Sequence, residues 1–200
     1  MNIAIIDYKA GNVQSVIYAL KRLGVEPVLT NDPAVIKAAD KVIFPGVGEA
    51  RMAMKNLKAH GLDTLIPTLT QPVLGICIGL QLMCAHSEEG DTPCMNIFPL
   101  KVKKFPVKDS KGRSYKVPHM GWNTLQFKGN PLFKGIDVDA FVYYVHSFYA
   151  EHSKDFAIAT SEYSQPYSAA LHRDNFYAVQ FHPEKSGDIG AQLLKNFVEM

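Results

Sequence analysis

The sequence predicts an α/β fold: a doubly wound, mostly parallel sheet with flanking helices, to which the second half adds antiparallel strands. Three observations predict it. Through the first ninety residues short apolar runs alternate with helical stripes, the rhythm of parallel strands joined by crossover helices. Two glycine-bearing stretches, Pro45-Gly46-Val47-Gly48 and Gly75-Ile76-Cys77-Ile78-Gly79, fall where a strand gives way to a helix, at the carboxyl-end position where such sheets bind ligands. After Gly90 strand-like segments separated by turns take over without a long linker, so residues 1–200 read as one domain.

Asn2-Ile3-Ala4-Ile5-Ile6-Asp7 is an almost unbroken apolar run, as a parallel strand buried on both faces requires. Val13, Val16, Ile17, Leu20 and Leu23 follow at helical spacing, with Gly24 as the stop. Residues 25–30 repeat the strand, and Asn31-Asp32-Pro33 has the cap and first-turn chemistry of a helix that continues through Val35, Ile36 and Ala39. Val42-Ile43-Phe44 is a third strand. It runs into the glycine loop at 45–48 and a Met-rich helix over 52–59, and Leu62, Leu65, Ile66 and Leu69 make another helical stripe. Val73-Leu74-Gly75-Ile76 is the fourth strand, with a helix expected over 80–85. In the second half strands are expected at 100–107, 114–117, 141–149, 156–160, 168–173 and 176–181, and Ile189, Leu193, Leu194 and Phe197 mark a closing helix.

Composition narrows the function. At 47% hydrophobic and 20% charged residues the chain can build a full core, and a net charge of +2 gives no general attraction to nucleic acid or membrane. The cysteines at 77, 84 and 94 are odd in number and lack zinc-ligand spacing, and no histidine pair forms a metal motif. Neither a metal nor a cofactor is expected. Without a leader pattern or a span of transmembrane length, the reading is a cytoplasmic protein with reduced thiols. The one basic region, Lys101, Lys103, Lys104, Lys108, Lys111, Arg113 and Lys116, reads as a solvated hairpin face.

Cys77 is the candidate for chemistry. Gly75 and Gly79 flank it with the Gly-x-nucleophile-x-Gly spacing of an elbow, a strained turn that exposes one side chain and aims the N–H of Ile78 at whatever the sulfur attacks. The helix end behind it should favour the thiolate and a developing oxyanion. A buried, inert cysteine in a tight turn is an equal reading of that motif alone, so partners decide. Phe181-His182-Pro183-Glu184 supplies them. A strand that delivers a histidine to the sheet edge, followed two residues later by a carboxylate, provides a general base and its orienting group, and Pro183 biases both side chains to one side. Cys77, His182 and Glu184 then form a triad by role. His146 is the rival base but has no carboxylate near it in sequence. His119, in Pro118-His119-Met120-Gly121-Trp122-Asn123, reads as part of a loop surface. His60, His86, His152 and His172 read as surface or turn residues, and Cys84 as packed core of the helix.

Together, Pro45-Gly46-Val47-Gly48, Gly75-Ile76-Cys77-Ile78-Gly79-Leu80-Gln81 and Phe181-His182-Pro183-Glu184 resemble the triad glutamine amidotransferases over essentially the whole chain. Asp7-Tyr8 with Gly11-Asn12, the stretch from Pro118 to Asn123, Tyr144-Val145-His146-Ser147 and Lys185-Ser186-Gly187 narrow the resemblance to the branch serving histidine biosynthesis. The resemblance implies glutamine as substrate, Cys77 as nucleophile, His182 as proton carrier, Glu184 as orienter, and an oxyanion hole from backbone N–H groups of Val47, Gly48 and Ile78. It implies glutamine contacts at Gly48, Gln81, Glu89, His146, Ser147 and Phe148. It also implies a TIM-barrel synthase partner that receives the ammonia, meeting this chain at Asn12, Trp122, Tyr143 and Lys185. From the residues alone, Trp122 and Tyr143 read as core. Two positions depart from the branch: Lys9 stands where a glycine is expected, and the residues after Glu89 are not glycine-rich, which leaves Glu88 as the alternative glutamine-contacting acid. An amidotransferase serving anthranilate, pyridoxal phosphate or nucleotide synthesis, a stand-alone cysteine hydrolase of the same fold and a non-catalytic interaction subunit remain the other readings.

Overall fold

The computed structural model describes residues 1–9 and 13–200. In chain order the elements are β1 (Ile3–Ile6), α1 (Gln14–Arg22), β2 (Val28–Thr30), α2 (Pro33–Ala38), β3 (Lys41–Phe44), α3 (Ala50–Ala59), α4 (Leu62–Leu65), β4 (Val73–Ile76), α5 (Ile78–Met83) and β5 (Cys84–Ser87). The second half continues with β6 (Thr92–Pro93), β7 (Phe98–Lys104), β8 (His119–Thr124), β9 (Gln126–Phe127), β10 (Phe141–His146), β11 (Phe148–Ala150), β12 (Ala157–Tyr163), β13 (Gln165–Arg173), β14 (Phe176–Val179) and α6 (Gly187–Glu199). Single 3-10 turns occupy Ile66–Thr68, Pro131–Phe133 and Pro183–Lys185.

Among the described residues the main sheet has eight strands in the order β2-β1-β3-β4-β14-β13-β12-β9. β2, β1, β3, β4 and β14 run parallel and the last three strands antiparallel, the doubly wound sheet with added antiparallel strands that the sequence predicts. Strand alternation explains the continuous apolar runs. Ile3 and Ile5 join the core that holds Val16 and Leu20 of α1 and Leu193, Leu194 and Phe197 of α6, whereas Ala4 and Ile6 join the one that holds Ile36 of α2 and Met54 and Leu57 of α3. β14 follows β13 through the two-residue turn Asp174-Asn175 and lies between β13 and β4, and thereby sets the segment bearing His182 beside the strand bearing Cys77.

Several local expectations change. The helix after Cys77 begins at once with Ile78 and ends at Met83, and Cys84 opens strand β5, so Cys84 is buried in a strand rather than on a helix. The reason is pairing: β5 lies parallel to β7 in a separate four-stranded sheet, β11-β7-β5-β6, and this tertiary pairing overrides local helical pattern. Residues 114–117 form no named strand; Ser114 makes one isolated bridge to Lys108. The stretch from His119 to Thr124, read as loop surface, is β8, paired antiparallel with β10 in a two-stranded sheet.

The elbow depends on close backbone approach. A Cβ on Gly79 would lie 2.0 Å from the carbonyl oxygen of Phe44 in β3, and one on Gly75 would lie 3.1 Å from the backbone of Gly79 and Leu80. Alanine in place of a helical glycine ordinarily stabilises. Here the sign reverses: Gly79→Ala is expected to cost about 1–3 kcal/mol from overpacking, read as a fall in Tm of roughly 3–10 °C. An unchanged or raised Tm would contradict this packing account.

Candidate active site

Cys77 has φ 55° and ψ −107° at the junction of β4 and α5, a backbone conformation costly for a side chain with a Cβ. The neighbouring strand holds it there, because the Cys77 N–H donates to the Val179 carbonyl at 2.8 Å. Beyond β14 the backbone N–H of His182 donates to the Tyr143 carbonyl at 2.9 Å, and Pro183 starts a 3-10 turn that brings Glu184 under the ring. The Glu184 carboxylate lies 2.7 Å from Nδ1 of His182, and both side chains are buried. A carboxylate only accepts, so Nδ1 carries the proton and Nε2 is left for the sulfur. Among the described residues Nε2 makes no hydrogen bond, and Cys77 is the neighbour that most favours the charged form of the ring. Burial alone would lower the His182 pKa, but Cys77 first and Glu184 next outweigh it and raise the value above the usual imidazole range. The arrangement can hold a proton beside a sulfur nucleophile and deliver it to a leaving group.

A pocket of about 310 Å³ opens on the sulfur. Val47, Gly48 and Ile78, the expected oxyanion residues, lie in its wall with Gln81, Glu89, His146, Ser147 and Phe148, the expected glutamine contacts. Gly48 has φ 112°, a glycine conformation. The two candidate acids separate: Glu89 lines the pocket and accepts from the Ala50 N–H at 2.8 Å, whereas Glu88 accepts from the Lys104 N–H at 2.8 Å outside it. Burial raises the Glu89 pKa, the Ala50 N–H opposes the shift, and Glu49 adds to it.

His146 does not serve as a second base. Its Nδ1 donates to the Phe148 carbonyl at 2.7 Å, so Nε2 is the acceptor that faces Nδ1 of His119 at 3.2 Å. Burial lowers the pKa of both rings and keeps them neutral, and both nitrogens of His146 are committed. His119 is buried, with its ring stacked between Tyr144 and Tyr163 at 5.0 and 4.0 Å. Gln81 Nε2 donates at 2.9 Å to the same Phe148 carbonyl, which fixes the pocket wall from two sides. Sequence reasoning missed His119 in this role, and it missed Gln180. The buried Gln180 amide points Nε2 at Cys77 Sγ, 3.8 Å away, while its oxygen accepts from Gln81 Nε2 at 3.1 Å. Its signal was position, two residues before His182 and so on the same side of an extended chain.

Of the residues expected at a partner, Trp122 and Tyr143 meet edge to face across β8 and β10 with ring centroids 6.0 Å apart. Trp122 is 55% exposed, which overturns the core reading for that residue; Met120 and Phe141 on the same two strands are exposed too. Lys185 is exposed beside Glu184, and Asn12 lies outside the described residues. Lys9 has φ 61°, which accounts for the glycine expected there.

The histidine pair makes stability pH-dependent. Burial lowers His119 to about 4 and His146 to about 3, where the Phe148 carbonyl partly opposes the shift. Between pH 6.5 and 4 the unfolded chain binds protons on both histidines and the folded chain does not, so stability is lost as pH falls through that window. Urea unfolding at pH 7 and pH 5 should differ by roughly 2–4 kcal/mol from these two groups, and His119→Gln should remove about half of the difference. A slope identical in the variant would contradict the assignment.

The sequence as a whole matches the family model described as glutamine amidotransferase class-I over residues 4–200. The chain is 57% identical over 200 residues to the imidazole glycerol phosphate synthase subunit HisH of Bacteroides fragilis strain YCH46, with all of both chains covered. It is 48% identical over 202 residues to the subunit of that name from Photorhabdus laumondii, again with full coverage of both. A crystal structure of a putative gmp synthase subunit a protein from Thermoplasma acidophilum superimposes with a TM-score of 0.74 at 20% identity, covering 100% of this chain and 92% of that one, which shows a shared fold. An elbow cysteine, a histidine from the adjacent parallel strand and a match that runs nearly end to end lead to one assignment: the chain belongs to the class-I glutamine amidotransferase family.

Proposed function

We propose that this chain is the glutaminase subunit of an imidazole glycerol phosphate synthase, hydrolysing glutamine and passing the ammonia to a synthase partner in histidine biosynthesis. The observation that carries the reading is one pocket in which Cys77 and His182 face the residues expected to hold glutamine, in a chain 57% identical to a HisH subunit across its full length.

Glutamine would enter with its amino-acid end toward Glu89, Gln81 and the backbone of residues 146–148, leaving its side-chain amide over Cys77. The sulfur attacks the amide carbon and a C–S bond forms. The carbonyl oxygen becomes an oxyanion opposite the N–H groups of Ile78 and of the Val47-Gly48 loop, each such donor being worth on the order of a hundred- to a thousandfold in rate. His182 gives its Nε2 proton to the amide nitrogen, the C–N bond breaks, and ammonia leaves. Water then adds to the thioester while His182 takes its proton. The C–S bond breaks, glutamate departs and the sulfur returns to its starting state. Glu184 holds Nδ1–H throughout, so Nε2 alone handles protons.

Ammonia that escaped into water would be protonated and lose its nucleophilicity, so transfer must be direct. We place the partner, a TIM-barrel synthase, on the face that presents Trp122, Tyr143 and Lys185, with Asn12 expected at the same contact. A cytoplasmic location fits a nucleophile that must stay reduced and three cysteines that are free thiols.

In the complex with the synthase, Cys77→Ala is expected to abolish glutamine-dependent synthesis and to leave synthesis from added ammonium salt within about twofold of wild type, because the sulfur serves nitrogen release alone. Loss of both activities in a folded complex would contradict the assignment.

A further inference from the structure

Tyr8 is fully buried, yet the triad leaves it without a task. It lies two residues past the end of β1, and its ring packs on Phe44 at the end of β3 with centroids 5.3 Å apart. Its hydroxyl donates to the Pro45 carbonyl at 2.9 Å. Burial first, and the Cys77 sulfur next, hold this phenol far above its usual pKa, so it remains a neutral donor. Gly46 is threaded through the resulting gap: a Cβ there would lie 2.0 Å from the Tyr8 oxygen and 2.3 Å from Cγ2 of Ile78. The loop that lines the pocket with Val47 and Gly48 thus passes between the Tyr8 hydroxyl and the first residue after the nucleophile.

The loop is held at its other end as well, where the Ala50 N–H donates to Glu89 at 2.8 Å. Between the Pro45 carbonyl and the Ala50 N–H lie only Gly46, Val47, Gly48 and Glu49. Fixing the Pro45–Gly46 peptide plane leaves rotation of the Gly46–Val47 peptide to two torsions, ψ of Gly46 and φ of Val47, and these decide whether a loop N–H faces the position of the oxyanion. Resting on the glutaminase reading above, we propose that Tyr8 is a positioning residue for the oxyanion loop: its hydroxyl anchors the Pro45–Gly46 peptide so that the Val47 and Gly48 amides sit opposite that of Ile78. A buried tyrosine always needs a partner for its hydroxyl, and a purely structural role would stop there. What distinguishes this one is the partner, a carbonyl one peptide away from the Val47 donor and two from that of Gly48.

The test compares wild type with Tyr8→Phe, which keeps the ring and deletes the hydroxyl, in the complex with the synthase. Removing the anchor should lower kcat for glutamine-dependent synthesis by about tenfold with KM for glutamine within about twofold. Synthesis from ammonium salt and the rate of Cys77 alkylation by iodoacetamide, a reaction that develops no oxyanion, should remain as in wild type. A wild-type kcat in the variant overturns the inference, and so does a parallel loss of ammonia-dependent synthesis and alkylation, which would signal a structural defect alone. Should Tyr8→Phe melt below the assay temperature, Tyr8→Met fills the same space without a donor and is read by the same criteria. Absence of glutamine turnover in the wild-type complex overturns the glutaminase reading, and this inference with it.

Discussion

The backbone of Cys77 is the constraint around which the rest is arranged. A residue with a side chain held at φ 55° and ψ −107° costs on the order of 1–3 kcal/mol, and it persists only where its surroundings fix it. Three elements do so. β14 accepts the Cys77 N–H through Val179, β3 presses the Phe44 carbonyl against Gly79, and α5 leaves the turn without a single intervening residue. The strain therefore depends on the parallel order β3-β4-β14, which is also the order that sets the chain bearing His182 beside the sulfur. Fold and reactivity share one set of contacts.

Around this turn the polar groups divide into one that moves protons and several that hold still. His182 and Glu184 are coupled through a single 2.7 Å contact, and the sulfur makes the imidazolium the favoured form of the ring. The other buried histidines are kept neutral, aligned from His119 through His146 to the Phe148 carbonyl. Gln81 binds that same carbonyl and Gln180, and Gln180 approaches the sulfur. Part of the pocket wall is thus cross-linked by side-chain hydrogen bonds, while the loop from Gly46 to Gly48 is held at its ends.

Much of this was legible in the residues. Parallel strands buried on both faces announce themselves as unbroken apolar runs, and β1, β3 and β4 were readable for that reason. Asp32-Pro33 marked the start of α2 because cap chemistry is local: the Asp32 carboxylate accepts from the Ala34 N–H at 2.8 Å. The juxtaposition of Cys77, His182 and Glu184 was readable from spacing and order. The short α5, strand β5 at Cys84 and strand β8 at His119 were not, because each is set by a partner far away in sequence. Gln180 and Tyr8 were hidden for a related reason. Their parts are defined by what their polar ends reach, the Cys77 sulfur and the Pro45 carbonyl, and no periodicity records that. Trp122 misled in the opposite direction, since an aromatic in a strand is ordinarily buried, and this one stands exposed on a two-stranded sheet.

The central claim is that one of three free cysteines, the one on the strained turn, is the nucleophile for the glutamine amide. It is tested most directly by treating the complex with the synthase with a diazoketone analogue of glutamine and locating the adduct by peptide mass spectrometry. The account predicts a single adduct on Cys77, formed in step with the loss of glutamine-dependent synthesis and prevented by excess glutamine. Modification of Cys84 or Cys94 in its place, or loss of activity with Cys77 unmodified, would contradict it.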